Sequence, residues 1–295
     1  MTQVLTNATG QSVSGVVYRD SSGLSNVQPA SVVILASHCI QTPRLLLNSA
    51  NSHFPYGLAN GSGTVGRYLM AHTAVGTYAL FNEETEPYMG VVGGSVSSQD
   101  TYDQKQNSEY FGSYTFQGAV AVKPNDLIGI AATRPDLFGA ALDAFMQKAA
   151  HHIAIILTLG ESRPLPQNQV SLSSQTDDFG VPLAQVTHAF DSDALTITAT
   201  STKVATNVFN SVGATQVWVG QVSGEHILGG TIMGSDPTSS VTNSYGQTHD
   251  LSNLFIAGSG LFPTVGAVNP TFTIHALAVR AASYLLSKWG SIAPH

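Results

Sequence analysis

The sequence has 295 residues, of which 43% are hydrophobic, and it carries a formal net charge of -7. That length leaves room for one large domain or two ordinary ones with a substantial core. With 11 Lys and Arg residues in the whole chain, the sequence predicts no nucleic-acid partner, because phosphate binding needs a basic surface. The single cysteine, Cys39, excludes an intramolecular disulfide framework and a cysteine-based zinc site, and no metal site is predicted.

Charged residues make up only 10% of the chain, against ~25% in a typical soluble domain. Ser, Thr, Asn and Gln take their place, a composition that slightly favours a secreted or periplasmic protein. No uninterrupted apolar run approaches the ~20 residues that a membrane-spanning helix needs. Met1 leads directly into a strand-like pattern rather than a signal peptide, so we expect the chain to begin in the middle of a fold.

The first part of the chain predicts strands followed by a helix. Residues 4–20 alternate in the manner of strands, and a Ser-Ser-Gly turn follows at 21–23. The continuous apolar run at 31–36 predicts a buried strand, and residues 41–47 predict a helix with Pro43 near its first turn. A buried strand that runs straight into a helix is half of a βαβ unit, and in open α/β sheets ligands bind beyond the carboxyl ends of such strands.

The middle of the chain, after a loop at 51–66, predicts strands that mostly follow one another without helices. Such strands pair in antiparallel sheets. Residues 83–112 are polar with little periodicity, so we expect a substrate-side loop or lid there. The other predicted elements are strands at 68–82, 114–122, 153–159, 169–172 and 183–188 and a helix at 135–150.

The last third of the chain predicts two long helices with a strand between them. Asp191 is placed to cap the first of these helices, which ends at Gly213. The strand is expected at 253–257 and the second helix at 271–289.

These elements predict an α+β fold. The two ends of the chain, residues 1–70 and 215–295, would form an α/β layer, and residues 71–214 would form an antiparallel sheet with helices. No Gly-x-Gly-x-x-Gly follows a predicted strand, so the chain carries no dinucleotide-binding fingerprint of its own.

Two polar side chains in the last third are candidates for chemistry. His226 lies in the stretch Gly-Glu-His-Ile-Leu-Gly-Gly-Thr, and Asn269 directly precedes Pro270 at the start of the last predicted helix. If the fold brings them to one pocket, the imidazole could remove a proton from an alcohol while a cofactor accepts hydride. The alternatives are a structural histidine and an asparagine that caps the helix.

Three segments together resemble the glucose-methanol-choline (GMC) oxidoreductases, which are FAD-dependent alcohol and sugar dehydrogenases and oxidases. They are residues 32–49, with Gln-Thr-Pro-Arg-Leu-Leu-Leu-Asn-Ser at their end; residues 65–72, Val-Gly-Arg-Tyr-Leu-Met-Ala-His; and residues 224–234, continued through 254–264 to the Asn-Pro helix. Order and spacing agree over residues 1–80 and 165–288. The resemblance implies that residues 1–70 and 215–295 are part of an FAD-binding domain and that residues 71–214 form a substrate-binding domain.

The resemblance also implies roles for individual residues. His226 would take the hydroxyl proton, Asn269 would orient the substrate oxygen, and hydride would pass to the flavin N5. Gly258 and Ser259 would contact the ribityl-phosphate portion of FAD. The turn Asn269-Pro270-Thr271 would present backbone N–H groups and the positive end of a helix dipole to the flavin.

The sequence departs from the family pattern at several positions. His226 stands in His-x-x-Gly-Gly-Thr, one residue longer than the family's His-x-x-Gly-Thr, and Gly258 and Ala71 replace family aspartates. The family's first βαβ unit, which holds the FAD pyrophosphate, has no counterpart in the chain. The sequence therefore reads as a fragment, or as a chain whose missing segment is supplied by another polypeptide.

Three functional hypotheses follow. The first is an FAD-dependent dehydrogenase, rather than an oxidase, that acts on a small alcohol or sugar and passes electrons to a further acceptor. The second is an incomplete or non-catalytic subunit that needs another chain to bind FAD. The third, a carbohydrate-binding module, requires an exposed aromatic platform, and Trp218 and Trp289 are too isolated to suggest one.

We expect no catalytic or metal-binding role for most other histidines or for Cys39. His151 and His152 are expected side by side in a strand, where their side chains point to opposite faces and make a poor metal pair. Cys39 is expected to be a small buried residue at the turn between strand and helix. The other histidines expected to be non-catalytic are His38, His72, His188, His249 and His275.

Overall fold

The structure is a computed structural model that describes residues 1–90, 96–103 and 109–293. Its helices are α1 (His38–Asn48), α2 (Asp126–Ala131), α3 (Ala140–His152), α4 (Ser192–Ser211), α5 (Thr271–Ser287) and α6 (Trp289–Ile292). Its strands are β1 (Gln3–Thr6), β2 (Val13–Arg19), β3 (Ser25–Pro29), β4 (Val33–Leu35), β5 (Met70–Leu80), β6 (Val96–Ser98), β7 (Tyr114–Gly118), β8 (Ile153–Gly160), β9 (Gln169–Thr176), β10 (Pro182–Thr187), β11 (Gln216–Val219), β12 (Ser223–Leu228) and β13 (Leu254–Ile256). The α+β class is confirmed.

A six-stranded antiparallel sheet forms the first layer. Its strand order is β11-β5-β8-β7-β6, with β12 also paired to β5. The central strand β5 is almost wholly buried along its eleven residues. One edge of β5 pairs with β8 along its length, and the other edge is shared by β11 and β12, each covering about half of it. The sheet thus binds the middle of the chain to residues 216–228.

A parallel pair, β4 and β13, forms the second layer, as expected for the two ends of the chain. Leu35 pairs with Ile256 at its carboxyl end, and both side chains are buried in a core that includes Leu46 of α1 and Leu254. Ile34 of β4, however, is 54% exposed. The prediction of a buried strand therefore holds for the face of Val33 and Leu35 and is wrong for the face of Ile34.

Several predicted boundaries need correction. The first helix begins at His38, so Pro43 lies inside α1 rather than in its first turn. His151 and His152 end helix α3 and do not lie in a strand, because the helix continues to the point where β8 begins.

Several elements have no counterpart in the sequence prediction. Within the expected loop at 83–112 the structure has β6, paired with β7; residues 91–95 and 104–108 of that loop lie outside the described residues. The elements that sequence patterns missed are α2, α6, β3, β6, β11 and β12. Most are short, and short elements carry too few periods to be recognised.

Helix α4 begins and ends as predicted. The Asp191 carboxylate accepts a hydrogen bond from the backbone N–H of Ala194 at 2.9 Å, and Gly213 adopts a left-handed conformation after the helix, with φ +83°. The helix packs across β5 and β8. No helix in the described part of the chain has the length and apolar character needed to cross a bilayer.

The division into domains at residues 1–70 with 215–295 and at 71–214 stays a prediction. The pairing of β11 and β12 with β5 shows that residues 216–228 contribute to the antiparallel sheet. The expected boundary near residue 215 therefore falls just before strands of the large sheet.

Replacing Asp191 by Ala removes the hydrogen bond that caps a 20-residue helix. We expect this change to lower the free energy of unfolding by ~1 kcal/mol, measured by urea denaturation. The matched control is Asp178→Ala, at an exposed position in a turn, which should change it by less than ~0.5 kcal/mol. Equal effects of the two substitutions would show that the cap does not stabilise α4.

Candidate active site

His226 projects from an irregularity in β12. The register between β12 and β5 shifts between Glu225 and Leu228, and His226 at this bulge has φ +51°. A non-glycine residue in the left-handed region costs about 1–2 kcal/mol, and bulges next to functional sites commonly re-aim a side chain. The chain thus holds His226 in a costly conformation that turns its imidazole out of the regular strand.

Asn269 meets His226 on the side of the pocket. Its side-chain nitrogen Nδ2 lies 3.3 Å from Nε2 of His226, and its Oδ1 accepts a hydrogen bond of 2.6 Å from Nε2 of Gln117 on β7. The structure therefore brings together the two residues that the sequence singled out. The N-cap role considered for Asn269 is wrong, because α5 has Pro270 at its N-cap position and no side-chain cap.

The loop that carries Asn269 is anchored to the large sheet. The hydroxyl of Thr115 on β7 donates a 2.6 Å buried hydrogen bond to the carbonyl of Ala267. A neighbouring carbonyl, that of Gly266, contacts Nε2 of His72 on β5. These contacts fix the loop relative to β5 and β7, the strands that flank the site.

His72 packs behind His226, on the side away from Asn269. The two Nδ1 atoms are 3.2 Å apart, and the rings meet edge to face with centroids 5.1 Å apart. His72 is fully buried. Burial, together with the neighbouring imidazole of His226, lowers the pKa of His72 to about 4, so His72 is neutral at neutral pH.

Sequence reasoning placed His72 among the histidines without a catalytic role and missed its contact with His226. The residue ends the Gly-Arg segment that carries part of the family resemblance, and that position was the available signal. The contact joins residues 154 positions apart in the chain. It becomes visible only when β12 is paired with β5.

His226 and Asn269 both line an open pocket. Its polar lining offers both donors and acceptors, as a hydroxyl-rich small molecule requires. The polar residues that line it with His226 and Asn269 are Tyr78, Gln117, Thr158, Gln221, Ser223 and Glu225. An imidazole and a carboxamide in contact at such a pocket can hold a hydroxyl oxygen and accept its proton.

Two successive glycines lead the chain away from His226. Gly229 and Gly230 both adopt left-handed conformations, with φ +84° and +83°. A Cβ on Gly229 would collide with the carbonyl oxygen of Tyr68, and one on Gly230 would press on the carbonyl of Cys39. The additional glycine in the His-x-x-Gly-Gly-Thr pattern is thus accommodated by close backbone packing.

The residues expected to contact a cofactor lie at two helix starts. Gly258 and Ser259 follow β13 at the carboxyl end of the parallel pair, where a short 3-10 helix, Ser259–Leu261, begins. The carbonyl of Ser259 accepts a hydrogen bond from the N–H of Gly229 at 3.0 Å. Pro270 and Thr271 form the start of α5. Ser259 is therefore tied to the segment that carries His226.

Cys39 is buried as expected, but it lies in the first turn of α1 and not in the turn before the helix. Its thiol donates to the carbonyl of Ile227 at 3.2 Å, so α1 contacts the residue after His226. Burial raises the pKa of the Cys39 thiol to about 11. The thiol is therefore an inert packing group at neutral pH.

Comparison with known proteins identifies the family of this chain. Residues 164–278 match the family model described as GMC oxidoreductase. The fructose dehydrogenase large subunit of Gluconobacter japonicus is 32% identical over 281 residues, which is 93% of this chain and 51% of that protein. The chain belongs to the GMC oxidoreductase family. A 2-methyl-1,2-propanediol dehydrogenase of Mycolicibacterium austroafricanum is 30% identical over 290 residues, 94% of this chain and 52% of that protein.

Solved structures show the same fold at lower identity. The formate oxidase of Aspergillus oryzae has a TM-score of 0.71 at 14% identity over 99% of this chain and 60% of that chain. A pyridoxine 4-oxidase has a TM-score of 0.62 at 14% identity over 97% of this chain and 57% of its own. This GMC chain spans about half the length of the curated relatives that it matches.

Replacing Gly229 by Ala tests the close backbone packing of the segment that follows His226. The new methyl group meets the Tyr68 carbonyl in addition to the left-handed backbone, so the loss of stability should clearly exceed ~1 kcal/mol. The control is Gly63→Ala, which also has a left-handed backbone but open space around its Cβ position. Thermal and urea unfolding of both variants would reveal the difference, and equal losses would rule out the predicted collision.

Proposed function

We propose that this GMC chain forms the substrate-side part of an FAD-dependent enzyme that oxidises an alcohol or sugar hydroxyl. The observation that carries the proposal is the contact between Asn269 Nδ2 and His226 Nε2 at the mouth of the polar pocket. Relatives that match most of the chain are named for fructose and 2-methyl-1,2-propanediol. Both compounds carry hydroxyl groups, which supports this substrate class.

In this proposal His226 accepts the substrate proton and Asn269 orients the substrate oxygen. The substrate oxygen takes the place beside His226 that Asn269 occupies in the structure, donates its proton to Nε2, and accepts a hydrogen bond from the Asn269 amide. An asparagine cannot titrate, so it serves to orient the oxygen and not to move the proton. General-base assistance of this kind contributes typically ~10²–10⁴-fold to the rate.

The residues expected to hold FAD fit such a group. Gly258 has φ +115° and open space where a Cβ would stand, so its backbone is accessible to a ligand. The start of α5 at Thr271 has no side-chain cap, which leaves its first backbone N–H groups available for a negatively charged group. Gly258, Ser259, Asn269, Pro270 and Thr271 would hold the cofactor. When bound, FAD supplies the acceptor for the hydride of the carbon that bears the hydroxyl.

We favour a dehydrogenase over an oxidase. The two relatives at 30% identity or more that match nearly the whole chain are both named dehydrogenases. Relatives named oxidases include a paromamine 6'-oxidase of Streptomyces fradiae at 29% identity. The electron acceptor would then be a further molecule or protein rather than oxygen.

A second candidate, which extends the first, is that this chain binds FAD only together with a further polypeptide segment. Helix α5 has only Ala281 and Leu285 buried and exposes Phe272, Val279 and Leu286, at 87%, 67% and 74%. These three lie seven residues apart and share one face of the helix. Exposed apolar stripes of this kind mark interaction surfaces.

The complete enzyme in this proposal is this chain together with the further polypeptide segment of the second candidate and FAD. Replacing His226 by Gln in it removes the proposed base and keeps a side chain of similar size. Turnover of a panel of fructose and 2-methyl-1,2-propanediol, the compounds for which two relatives are named, with an artificial electron acceptor should fall ~10²-fold or more. The control is His151→Gln, at an exposed position that pairs with Glu84, which should keep wild-type turnover. Unchanged turnover of the His226 variant would remove its assigned role.

Replacing Val279 by Glu tests the second candidate. Because Val279 is exposed, the isolated chain should unfold within ~0.5 kcal/mol of wild type, whereas the complete enzyme should lose FAD more readily on dilution. The matched control is Val212→Glu, at the end of α4, where the side chain is 62% exposed. FAD retention that is equal in both variants, followed by flavin absorbance, would argue against a docking role for α5.

A further inference from the structure

His226 is the middle member of a continuous row of hydrogen-bonding groups. The row runs from Gln117 through Asn269 and His226 to His72 and ends at the carbonyl of Gly266. Every contact in the row joins a nitrogen to a nitrogen or an oxygen, so each needs one donor and one acceptor. The identity of the groups at the two ends therefore constrains where the protons lie in the middle.

The Gly266 end determines the tautomer of His72. A backbone carbonyl can only accept a hydrogen bond, so Nε2 of His72 must carry a proton to donate to Gly266. His72 is neutral, because burial holds its pKa at about 4, and its Nδ1 is then an acceptor. The His226 Nδ1 atom that faces it at 3.2 Å must carry a proton. Nε2 of His226 is left unprotonated, with its lone pair on the side of Asn269.

The Gln117 end leads independently to the same assignment. Nε2 of Gln117 donates to Oδ1 of Asn269, which places the amide hydrogens of Asn269 on the side of His226. The 3.3 Å contact between Asn269 Nδ2–H and Nε2 of His226 is then a hydrogen bond only if Nε2 is unprotonated. Both ends therefore place the proton of His226 on Nδ1.

We propose that His72 is a positioning residue that holds His226 in the tautomer with its proton on Nδ1 and its lone pair on Nε2, directed at the pocket. The Gly266 carbonyl fixes His72, and His72 in turn fixes His226. Unlike the buried carboxylate that orients the histidine of a Ser-His-Asp triad, His72 does this as a neutral acceptor. Its catalytic consequence rests on the proposed function, but the proton placement does not.

The arrangement also persists after proton transfer. When Nε2 of His226 takes a proton from a substrate hydroxyl, both ring nitrogens carry protons, and Nδ1–H still donates to His72. The bond to His72 can then strengthen, because a hydrogen bond from a charged donor is stronger than one from a neutral donor. His72 would thus favour the imidazolium that the reaction forms as well as the tautomer that begins it.

Nitrogen NMR of the histidine side chains in this chain, without flavin, tests the proton placement directly. In a neutral imidazole the protonated and the bare nitrogen resonate far apart, and the signals of His226 are those missing from His226→Gln. At a pH where the histidines are neutral, we expect a single tautomer with the proton on Nδ1. A protonated Nε2, or an averaged mixture of tautomers, would overturn the proposal in the wild-type protein itself.

Two substitutions at His72 separate positioning from packing. His72→Leu keeps an apolar core residue but offers no acceptor, so His226 should lose its single tautomer. His72→Gln restores one acceptor for His226 and one donor for Gly266, so the Nδ1-protonated form should return. If both variants leave the His226 spectrum unchanged, His72 does not set the tautomer.

The complete enzyme supplies a second readout. If the proposed function holds, His72→Leu should lower kcat ~10²-fold with little change in KM, and His72→Gln should recover most of the loss. The NMR result is independent of flavin and substrate, so a wrong proposed function would leave it intact. Conversely, an active enzyme with a mixed His226 tautomer would reject the positioning role alone.

Discussion

The antiparallel pairing of β12 with β5 is the interaction on which the site depends. It places His226 beside His72, and the shift in register between Glu225 and Leu228 turns the imidazole toward the pocket. β5 is the buried centre of the large sheet, so His72 is fixed in the core, whereas His226 lies half-buried on β12. A functional group on a paired strand of the scaffold keeps its geometry better than one carried on a free loop.

Local sequence patterns were enough to predict a structural feature where a few neighbouring residues determine it. Asp191 caps α4 through a backbone group three residues away, so its role could be predicted. The contact between His72 and His226 depends on a strand pairing across 154 residues, and no local pattern contains it. His151 and His152 were placed in a strand because the helix before them and the strand after them follow without a break. The pairing of His226 with Asn269 was expected from family resemblance, and the structure supplies the distances.

The two sheets of the chain differ in how far other elements cover them. The antiparallel sheet is covered by α4 and carries the pocket, whereas the parallel pair of β4 and β13 has only two strands and leaves Ile34 exposed. Parallel sheets are normally covered on both faces. The apolar stripe of α5 adds to this uncovered surface. These features accompany a chain that spans about half the length of its relatives.

The pH dependence of kcat/KM tests the central claim, that His226 removes the substrate proton, most directly. It should be recorded for the complete enzyme and for His226→Gln, with the member of the substrate panel that supports turnover. The account predicts that wild-type kcat/KM falls at low pH as a single group becomes protonated, because a base must be free to act. The variant should lack this acidic limb. A variant that keeps the same limb as the wild type would contradict the account, because another group would then be the base.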